Sequence, residues 1–311
     1  MRPTHMIEYP TDRHGLVFRR SAVDAGFSDN QLARAHRSGD LIRIWPGASV
    51  SATEELSPQQ RYRLQSIAAA ELGDGANTLS HQSSGMMLGL SMLEPAMDRV
   101  HFSTGLASGG RVEKRRHLHA GFLDESEIVV VDGIAVTSME RTAADIACAG
   151  TFAQALAVLD SALRLGADPE VIAEKLVGTR TGVARARRAL GHADPLSENA
   201  GESWGRAQMI EAGLPVPRLQ HEFVDGTGVF VARSDYDWDG RLVGEFDGWA
   251  KYQRHLSPGE TSFDAMRREK NREDALRRMG IMVVRWTWDA LRRGLVVPMI
   301  AEWLGRLGIA A

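Results

Sequence analysis

The sequence contains very little cysteine, few aromatic residues and almost no net charge. Only one of its 311 residues is cysteine, Cys148, so the sequence excludes an internal disulfide framework and a cysteine-based zinc site. Cys148 lies in an apolar helical segment, where a small buried core residue is expected. The net charge of −3 gives no basic signature over the whole chain. Any contact with nucleic acid must therefore depend on local basic patches.

Long hydrophobic runs are also absent. The N-terminal residues form no apolar signal segment, and no apolar run is long enough to cross a bilayer. We therefore expect a cytoplasmic protein with no membrane partner. A hydrophobic content of 43% with 25% charged residues is typical of a globular protein, and 311 residues are too many for one ordinary core. The sequence thus predicts two or three domains.

Two short helices and a β-hairpin are predicted over residues 15–50. Ser28 and Gln31 form a capping box at the start of the second helix, Gly39 ends that helix, and residues 41–45 form a strand before a Pro-Gly turn. This order is typical of a winged helix, in which the second helix enters the DNA major groove. The alternative is a helical subdomain with a solvated charged face that contacts protein. The candidate DNA-binding residues here are Arg19, Arg20, Gln31, Arg34, Arg37 and Arg43.

The middle of the chain contains a basic run and several histidines. Residues 111–119 either contact phosphates or form the exposed edge of a sheet that charge keeps soluble. His117 and His119 are spaced as metal ligands on a strand, but no carboxylate or thiol accompanies them, and no metal is predicted there. For His81 and Ser84 we expect capping or core hydrogen bonds. Residues 168–190 are predicted to form one helix.

An acidic segment, residues 235–251, is the strongest indication of chemistry in the sequence. Glu245 and Asp247 follow an apolar strand pattern, and residues two apart on a strand share a face. With Asp235 on a neighbouring strand they predict a three-carboxylate site for a hard divalent cation, and Lys251 follows it. The alternative is a pair of hairpin turns at 239–240 and 247–248, which explains three of the acids without a metal. It does not explain Glu245.

Residues 198–220, 235–251 and 267–291 together resemble the endonuclease-like domain related to very-short-patch-repair nucleases, in the PD-(D/E)XK superfamily. The resemblance covers roughly the last 115 residues. It implies that Asp235 and Glu245 are the acidic residues of the second and third strands and that Glu202 is the acidic residue of the first helix. The pattern E-x-K expects a lysine where this chain has Asp247, a departure that favours a non-catalytic relative of these nucleases. Lys251 is a candidate replacement.

The first 165 residues or so resemble the antitoxins of AbiE-type abortive-infection systems. The segments that carry this resemblance are G-L-V-F-R-R-S-A-V-D-A-G-F-S, G-D-L-I-R-I-W-P-G-A, residues 79–90 and residues 133–147. The resemblance implies an N-terminal winged helix, a second α+β domain, regulation of transcription and a cognate toxin as partner.

These patterns together predict an α+β protein of three domains. Residues 1–52 would form a winged helix-turn-helix domain, 53–194 an α+β domain, and 195–311 a restriction-endonuclease-like domain with a central mixed sheet in which 281–284 is a buried central strand. The predicted function is hydrolysis of DNA phosphodiester bonds with Mg²⁺ or Mn²⁺, in defence or repair. The alternative is a non-catalytic, antitoxin-like regulator, and an RNA substrate or a homodimer stays open.

The residues assigned to catalysis are Asp235, Glu245, Asp247, Lys251 and Glu202, of which Asp235, Glu245 and Asp247 would hold the metal. Residues 264–293 hold nine Lys or Arg against five Asp or Glu. This local excess of positive charge suits contact with a nucleic-acid backbone. Arg268, Lys270 and Arg272 are therefore further candidate DNA-binding residues.

Overall fold

The computed structural model describes residues 8–52, 55–73, 75–248 and 262–309. The chain has an α+β fold, as predicted, with three sheets among the described residues. The residues form two compact units, Met1–Leu90 with Pro95–Thr142, and Ser91–Glu94 with Ala143–Ala311. Each unit is described by itself. None of the described helices is long and apolar enough to span a membrane.

The first unit begins with the predicted helix–helix–hairpin. Its elements are β1 (Val17–Phe18), α1 (Arg19–Asp24), α2 (Asp29–Ser38), β2 (Leu41–Trp45) and β3 (Ala48–Ser51). The strands form an antiparallel sheet in the order β1-β3-β2. The predicted capping box of Ser28 and Gln31 is confirmed at the start of α2, and Gly39 ends that helix with a left-handed φ of 85°. We call residues 17–51 the winged-helix segment.

The rest of the first unit is built on a six-stranded sheet in the order β6-β7-β5-β4-β9-β8. Its elements are α3 (Pro58–Glu71), β4 (Thr78–Leu79), α4 (His81–Met87), β5 (Val100–Ser103), β6 (Arg111–Val112), β7 (Arg116–His119), a 3₁₀ helix (Glu125–Glu127), β8 (Ile128–Val131) and β9 (Ile134–Thr137). Strands β5 and β7 pair in parallel. The basic run at 111–119 therefore includes the edge strand of this sheet, and Glu113 forms ion pairs with Arg111 and Arg116.

The second unit combines a group of helices with a four-stranded sheet. After α5 (Met139–Ala149), which crosses the boundary between the units, its elements are α6 (Phe152–Arg164), α7 (Pro169–Lys175), α8 (Val183–Leu190), α9 (Ala200–Glu211), β10 (Arg218–Val224), β11 (Phe230–Trp238), β12 (Leu242–Asp247), α10 (Ser262–Arg278), β13 (Met282–Thr287), α11 (Trp288–Arg292) and α12 (Val296–Leu307). The strand order is β10-β11-β12-β13. The first three strands are antiparallel, and β13 is parallel to β12. The predicted mixed sheet is thus confirmed.

Two predictions about elements of this unit are wrong. Residues 168–190 form two helices, α7 and α8, because Gly178 and Gly182 adopt left-handed φ angles of 80° and 83° between them. The strand predicted to be central, β13, lies at the edge of the sheet among the described residues. Its apolar run is explained by the cores on both faces of the sheet, since Val284 and Trp286 pack in one core and Val283 against the other.

Candidate functional site

Three predicted metal ligands share one face of the sheet in the second unit. Along β12, Phe246 belongs to one core and Val243 to the core on the opposite face, where Leu276 of α10 also packs. Because side chains alternate along a strand, Glu245 and Asp247 share the face of Val243. In β11, Tyr236 lies on the Phe246 side, which puts Asp235 on the same face as Glu245. Strand alternation therefore assigns the three carboxylates to one face of the sheet.

The backbone register brings Asp235 and Glu245 together. Tyr236 pairs with Gly244 in the antiparallel ladder, and Asp235 and Glu245 are the residues next to this pair on the two strands. The Oδ2 atom of Asp235 accepts a hydrogen bond of 2.8 Å from the backbone N–H of Phe246, which fixes the carboxylate against β12. Asp235 is 8% exposed and Glu245 2% exposed. A carboxylate buried to this extent requires a cationic partner beside it.

That cation is Arg272, on helix α10. Its Nη1 and Nη2 atoms donate to Oε1 and Oε2 of Glu245 at 3.2 and 3.1 Å, and Nη1 also donates to the backbone carbonyl of Arg233 at 3.0 Å. This two-point contact matches the planar guanidinium to the carboxylate. Sequence analysis assigned Arg272 to DNA binding and did not anticipate its contact with Glu245. Helical spacing from Leu276, one turn further along α10, indicates the face on which it lies.

The other predicted site residues lie at the end of β12, on α9 or α10, or outside the described residues. Asp247 is the half-buried last residue of β12. Lys251 lies outside the described residues, as does the side chain of Arg268, while Lys270 is exposed on α10. Glu202 lies in the first turn of α9, where its carboxylate accepts hydrogen bonds from the backbone N–H of Glu198 at 2.7 Å and from Asn199 Nδ2 at 2.5 Å.

A further buried acid on this face was not predicted. Asp237 is 1% exposed, lies two residues after Asp235 in β11, and forms an ion pair with Arg218 of β10. Its Oδ1 atom accepts a hydrogen bond of 2.9 Å from the backbone N–H of Gly240, in the turn that joins β11 to β12. The alternation D-Y-D-W-D in the sequence carries this signal. These contacts give Asp237 a structural role in the hairpin.

The candidate DNA-binding residues of the winged-helix segment are all exposed. Arg34 and Arg37 lie on α2, Arg20 on α1 and Arg43 on β2. The remaining two also have structural contacts. Arg19 forms an ion pair of 2.6 Å with Asp29, which lowers the pKa of that carboxyl through a side-chain hydrogen bond, and Gln31 completes the capping box of α2.

Four histidines of the first unit form a stacked cluster that sequence analysis missed. His81 begins α4, His101 lies in β5, and His117 and His119 lie in β7. The ring centroids of His81 and His119 are 3.7 Å apart, and those of His117 and His119 are 3.8 Å apart. The Nδ1 atom of His101 is 2.9 Å from Nε2 of His119. We call these four residues the histidine cluster.

Burial determines the charge state at the centre of this cluster. His101 is 8% exposed, and burial, followed by the nearby His119 and His117, lowers the pKa of His101 to about 3, while Asp98 acts in the opposite direction. Burial also lowers the pKa of His117. His101 is therefore neutral at pH 7, and a neutral imidazole has a lone pair that can accept a proton or ligate a metal.

Comparison with known proteins places this chain among relatives without assigning an activity. No family model matches the chain. The uncharacterized protein MT2308 of Mycobacterium tuberculosis (strain CDC 1551 / Oshkosh) is 31% identical over 293 residues, which cover 90% of this chain and 98% of that protein. The uncharacterized protein Rv2248 of Mycobacterium tuberculosis (strain ATCC 25618 / H37Rv) matches with the same identity and coverage.

Among solved structures, the crystal structure of the RV2827C protein from Mycobacterium tuberculosis is similar to this chain. It has a TM-score of 0.40 and 15% identity over 70% of this chain and 84% of that one. Similarity at this level assigns neither fold nor function. Because MT2308 and Rv2248 are each 31% identical to this chain over 90% of its length, the chain belongs to the family of these two uncharacterized mycobacterial proteins.

Proposed function

We propose that this chain is a DNA-binding protein whose C-terminal sheet hydrolyses DNA phosphodiester bonds with the help of Mg²⁺ or Mn²⁺. The observation that supports the proposal is the arrangement of Asp235 and Glu245, two buried carboxylates on one sheet face, with the guanidinium of Arg272 against Glu245. Carboxylates that converge at low exposure and have a cationic neighbour are a common setting for metal-assisted phosphate chemistry.

The donor atoms suit the proposed ion. Mg²⁺ prefers carboxylate oxygens and water, and it is usually held by one or two carboxylates together with phosphate oxygens of the substrate. Asp235 and Glu245 would hold the ion, with Asp247 at the end of β12 as a further oxygen donor. When bound, such an ion lowers the pKa of a coordinated water and neutralises charge on the phosphate. Glu245 would then exchange part of its contact with Arg272 for the ion.

The chain's own cations would position the substrate. Once Arg272 releases an oxygen of Glu245, its planar guanidinium can bind a phosphate at two points. The hydrogen bond from Arg272 to the backbone carbonyl of Arg233 keeps the guanidinium beside the carboxylates during this exchange. Lys270, exposed two residues earlier on α10, and Arg268 would attract the nucleic-acid backbone.

The winged-helix segment would supply binding to duplex DNA. Arg34 and Arg37 project from α2, the helix that enters the major groove in this arrangement, while Arg43 on β2 would contact the backbone from the wing. With a net charge of −3 over the chain, these exposed arginines provide the local positive patch that binding requires.

One observation favours a second function, that of a non-catalytic regulator. Arg272 contacts both oxygens of Glu245 and so supplies a positive charge beside the buried carboxylates without a metal. Asp247 also stands where the superfamily pattern has a lysine. In this alternative, the winged-helix segment binds a promoter, and the nuclease-like sheet is a structural remnant. A toxin gene next to the gene for this chain would support it.

A cleavage assay separates the two functions. Purified protein is incubated with supercoiled plasmid, linear duplex, single-stranded DNA and single-stranded RNA, in Mg²⁺, Mn²⁺ or EDTA. The variants Glu245→Gln and Asp235→Asn are tested beside Glu302→Gln, which makes the same chemical change at an exposed position on α12. We expect metal-dependent cleavage that only the first two variants lose. Duplex binding without cleavage under every condition would support the regulator instead.

A further inference from the structure

We propose that His81, His101 and His119 form a binding site for a divalent transition-metal ion of the zinc class. The site lies in the six-stranded sheet of the first unit, and the proposal does not depend on the proposed nuclease activity. Three imidazoles with one remaining position for water are a recognised ligand set for zinc. Imidazole also suits copper, iron and nickel, so the chemical class follows from the ligands more firmly than the individual element.

The three side chains come from three different elements that the fold brings together. His101 and His119 lie on β5 and β7, whose parallel register pairs His101 with His117 and Ser103 with His119. His81 reaches the same place from the start of α4. One ring nitrogen from each of His81, His101 and His119 lies within 4.8 Å of the other two.

The distances between these ring nitrogens are close to those in a site that holds zinc. In a tetrahedral site with ligand nitrogens about 2.0–2.1 Å from zinc, neighbouring nitrogens are about 3.4 Å apart. The Nδ1 atom of His101 and the Nε2 atom of His119 are already 2.9 Å apart, a separation at which they share a proton. For both nitrogens to ligate one ion, this proton would move to the other nitrogen of its own ring. The two nitrogens would then shift by about an ångström, which side-chain rotation can supply.

The stacking of His81 on His119 shows which side-chain rotation metal binding would require. The planes of His81 and His119 are 15° apart and their centroids are separated by 3.7 Å. A metal binds in the plane of each imidazole, along the nitrogen lone pair, so two stacked rings cannot both ligate one ion as they stand. Binding would therefore turn at least one of them out of the stack. This change is a specific signature of the site.

A neighbouring side chain orients the ring of His81, and an ion can reach the site from solvent. The Nδ1 atom of His81 is 3.1 Å from Ser80 Oγ, a contact that orients a ring for ligation through its other nitrogen. His81 also adopts a left-handed φ of 48°, which is rare for a residue with a side chain and concentrates at functional positions. His101 is buried, but His81, His117 and His119 are only half-buried, so an ion can enter from solvent.

His117 is not one of the three proposed ligands but stacks on one of them. Its ring centroid is 3.8 Å from that of His119 and 5.3 Å from that of His101. We assign it to packing against the ring of His119. Replacing His117 would therefore weaken binding less than replacing a ligand, because loss of a residue that only supports a ligand typically costs about 10–100-fold in affinity.

The experiment measures metal binding by the full chain, prepared without a histidine tag and stripped with chelator. Zn²⁺ is titrated against a chromophoric competitor, and Co²⁺ is added separately so that its visible absorption reports the coordination geometry. The variants are His81→Gln, His101→Gln, His119→Gln and His117→Gln. The matched control is His221→Gln, which alters a half-buried histidine of β10 outside the cluster. Circular dichroism checks that each variant is folded.

We expect one Zn²⁺ per chain and a tetrahedral Co²⁺ spectrum. Each of His81→Gln, His101→Gln and His119→Gln should weaken binding by at least about 100-fold, His117→Gln by about 10–100-fold, and His221→Gln not at all. If His101→Gln fails to fold, the half-buried His81 and His119 still decide the outcome. The proposal is wrong if the wild-type chain takes up no stoichiometric ion, or if binding survives His81→Gln and His119→Gln in folded protein.

Discussion

Arg272 contributes both to stability and to the proposed chemistry of the second unit. It lies at the sheet face that carries Asp235 and Glu245, which we call the acidic face. Its guanidinium contacts both oxygens of Glu245, a carboxylate that is 2% exposed. A charged group buried to this extent is costly without a cation, and the same position is where a divalent ion would act. If an ion binds there, as proposed, Arg272 would have to release at least one oxygen of Glu245.

Replacing Arg272 should destabilise the protein and make that stability depend on metal. We expect Arg272→Ala to lower the free energy of unfolding by about 3 kcal/mol in EDTA, because a buried carboxylate loses a two-point cationic partner. If Asp235 and Glu245 hold an ion, millimolar Mg²⁺ should restore part of the loss. Urea denaturation with and without Mg²⁺ measures both effects.

The matched control for this change lies on the same helix. Arg277 is exposed and pairs with Glu273 one turn away, so Arg277→Ala should cost under about 1 kcal/mol in either condition. Equal losses for the two variants would mean that the contact between Arg272 and Glu245 contributes no more than a surface ion pair.

A second buried pair in this unit is structural. Asp160 of α6 is fully buried and accepts hydrogen bonds from Arg206 Nη2 at 2.7 Å, from Ser203 Oγ at 2.7 Å and from the backbone N–H of Asp194 at 2.8 Å. Because Arg206 is itself only 2% exposed, Asp160→Ala should lower the free energy of unfolding by about 3–5 kcal/mol. Thermal and urea unfolding check this loss. Asp289→Ala, which removes an exposed pair with Arg293, should cost under about 1 kcal/mol.

Sequence analysis identified the carboxylates of the acidic face but not their partner. The two-residue period of a strand suffices to put Glu245 and Asp247 on one face. The contact of Arg272 with Glu245 joins residues 27 positions apart and depends on how α10 packs on the sheet. The histidine cluster was missed for the same reason. His117 and His119 are neighbours in sequence, but His81 and His101 meet them only through the parallel pairing of β5 with β7 and the position of α4.

At the scale of elements, glycines set how closely helix α9 approaches the sheet. A Cβ atom added at Gly201 would lie 2.2 Å from the ring of Phe246, and one at Gly244 would lie 2.5 Å from the ring of Trp286. Real contacts of this kind are never so short, so the helix and the strand can pack at this distance only without side chains there. The same packing positions β12, the strand that carries Glu245.

Gly201→Ala should therefore be destabilising although alanine is the better helix former. We expect a loss of about 1–3 kcal/mol in the free energy of unfolding, from overpacking against Phe246. Gly305→Ala on α12 is the control, because nothing lies within 4 Å of the added Cβ atom. It should be neutral or stabilising by up to about 1 kcal/mol. Chemical denaturation of both variants tests the prediction, and a stabilised Gly201→Ala protein would contradict it.

Local sequence signals predicted most of the helices and strands. The errors occurred where adjacent residues do not determine the end of a helix or the position of a strand in its sheet. The capping box of α2 and the strand Leu41–Trp45 were predicted because both depend on adjacent residues. The break between α7 and α8 was missed because glycine is tolerated within helical patterns, and only its φ shows that the helix ends. The edge position of β13 was missed because an apolar run indicates that both faces of a strand are buried. It does not indicate whether a strand pairs on one side or on both.

At the scale of the whole molecule, the α+β fold class and the mixed sheet were predictable, and the activity was not. The division into three domains stays a prediction, beside the two compact units that the chain forms. Membership of the family of MT2308 and Rv2248 assigns no activity to the chain.

DNA binding, if it depends on the winged-helix segment, should respond to the exposed arginines of α2. We expect Arg34→Ala and Arg37→Ala each to weaken binding to duplex DNA and each to reduce the slope of log affinity against log salt by about 1, because each would remove one phosphate contact. Fluorescence anisotropy at several salt concentrations measures this. Arg293→Ala, an exposed arginine on the second unit, is the control. Unchanged affinity in the two α2 variants would mean that the winged-helix segment does not bind DNA through α2.

Metal-dependent nuclease activity is tested most directly by the rate of plasmid nicking in Mg²⁺, measured in one experiment for wild-type protein, Glu245→Gln and Glu302→Gln. We expect cleavage by the wild type and by Glu302→Gln, and a loss of at least about 100-fold in Glu245→Gln, whose carboxylate is the proposed metal ligand. Equal cleavage by all three proteins, or no cleavage by the wild type in Mg²⁺ or Mn²⁺, would contradict this expectation.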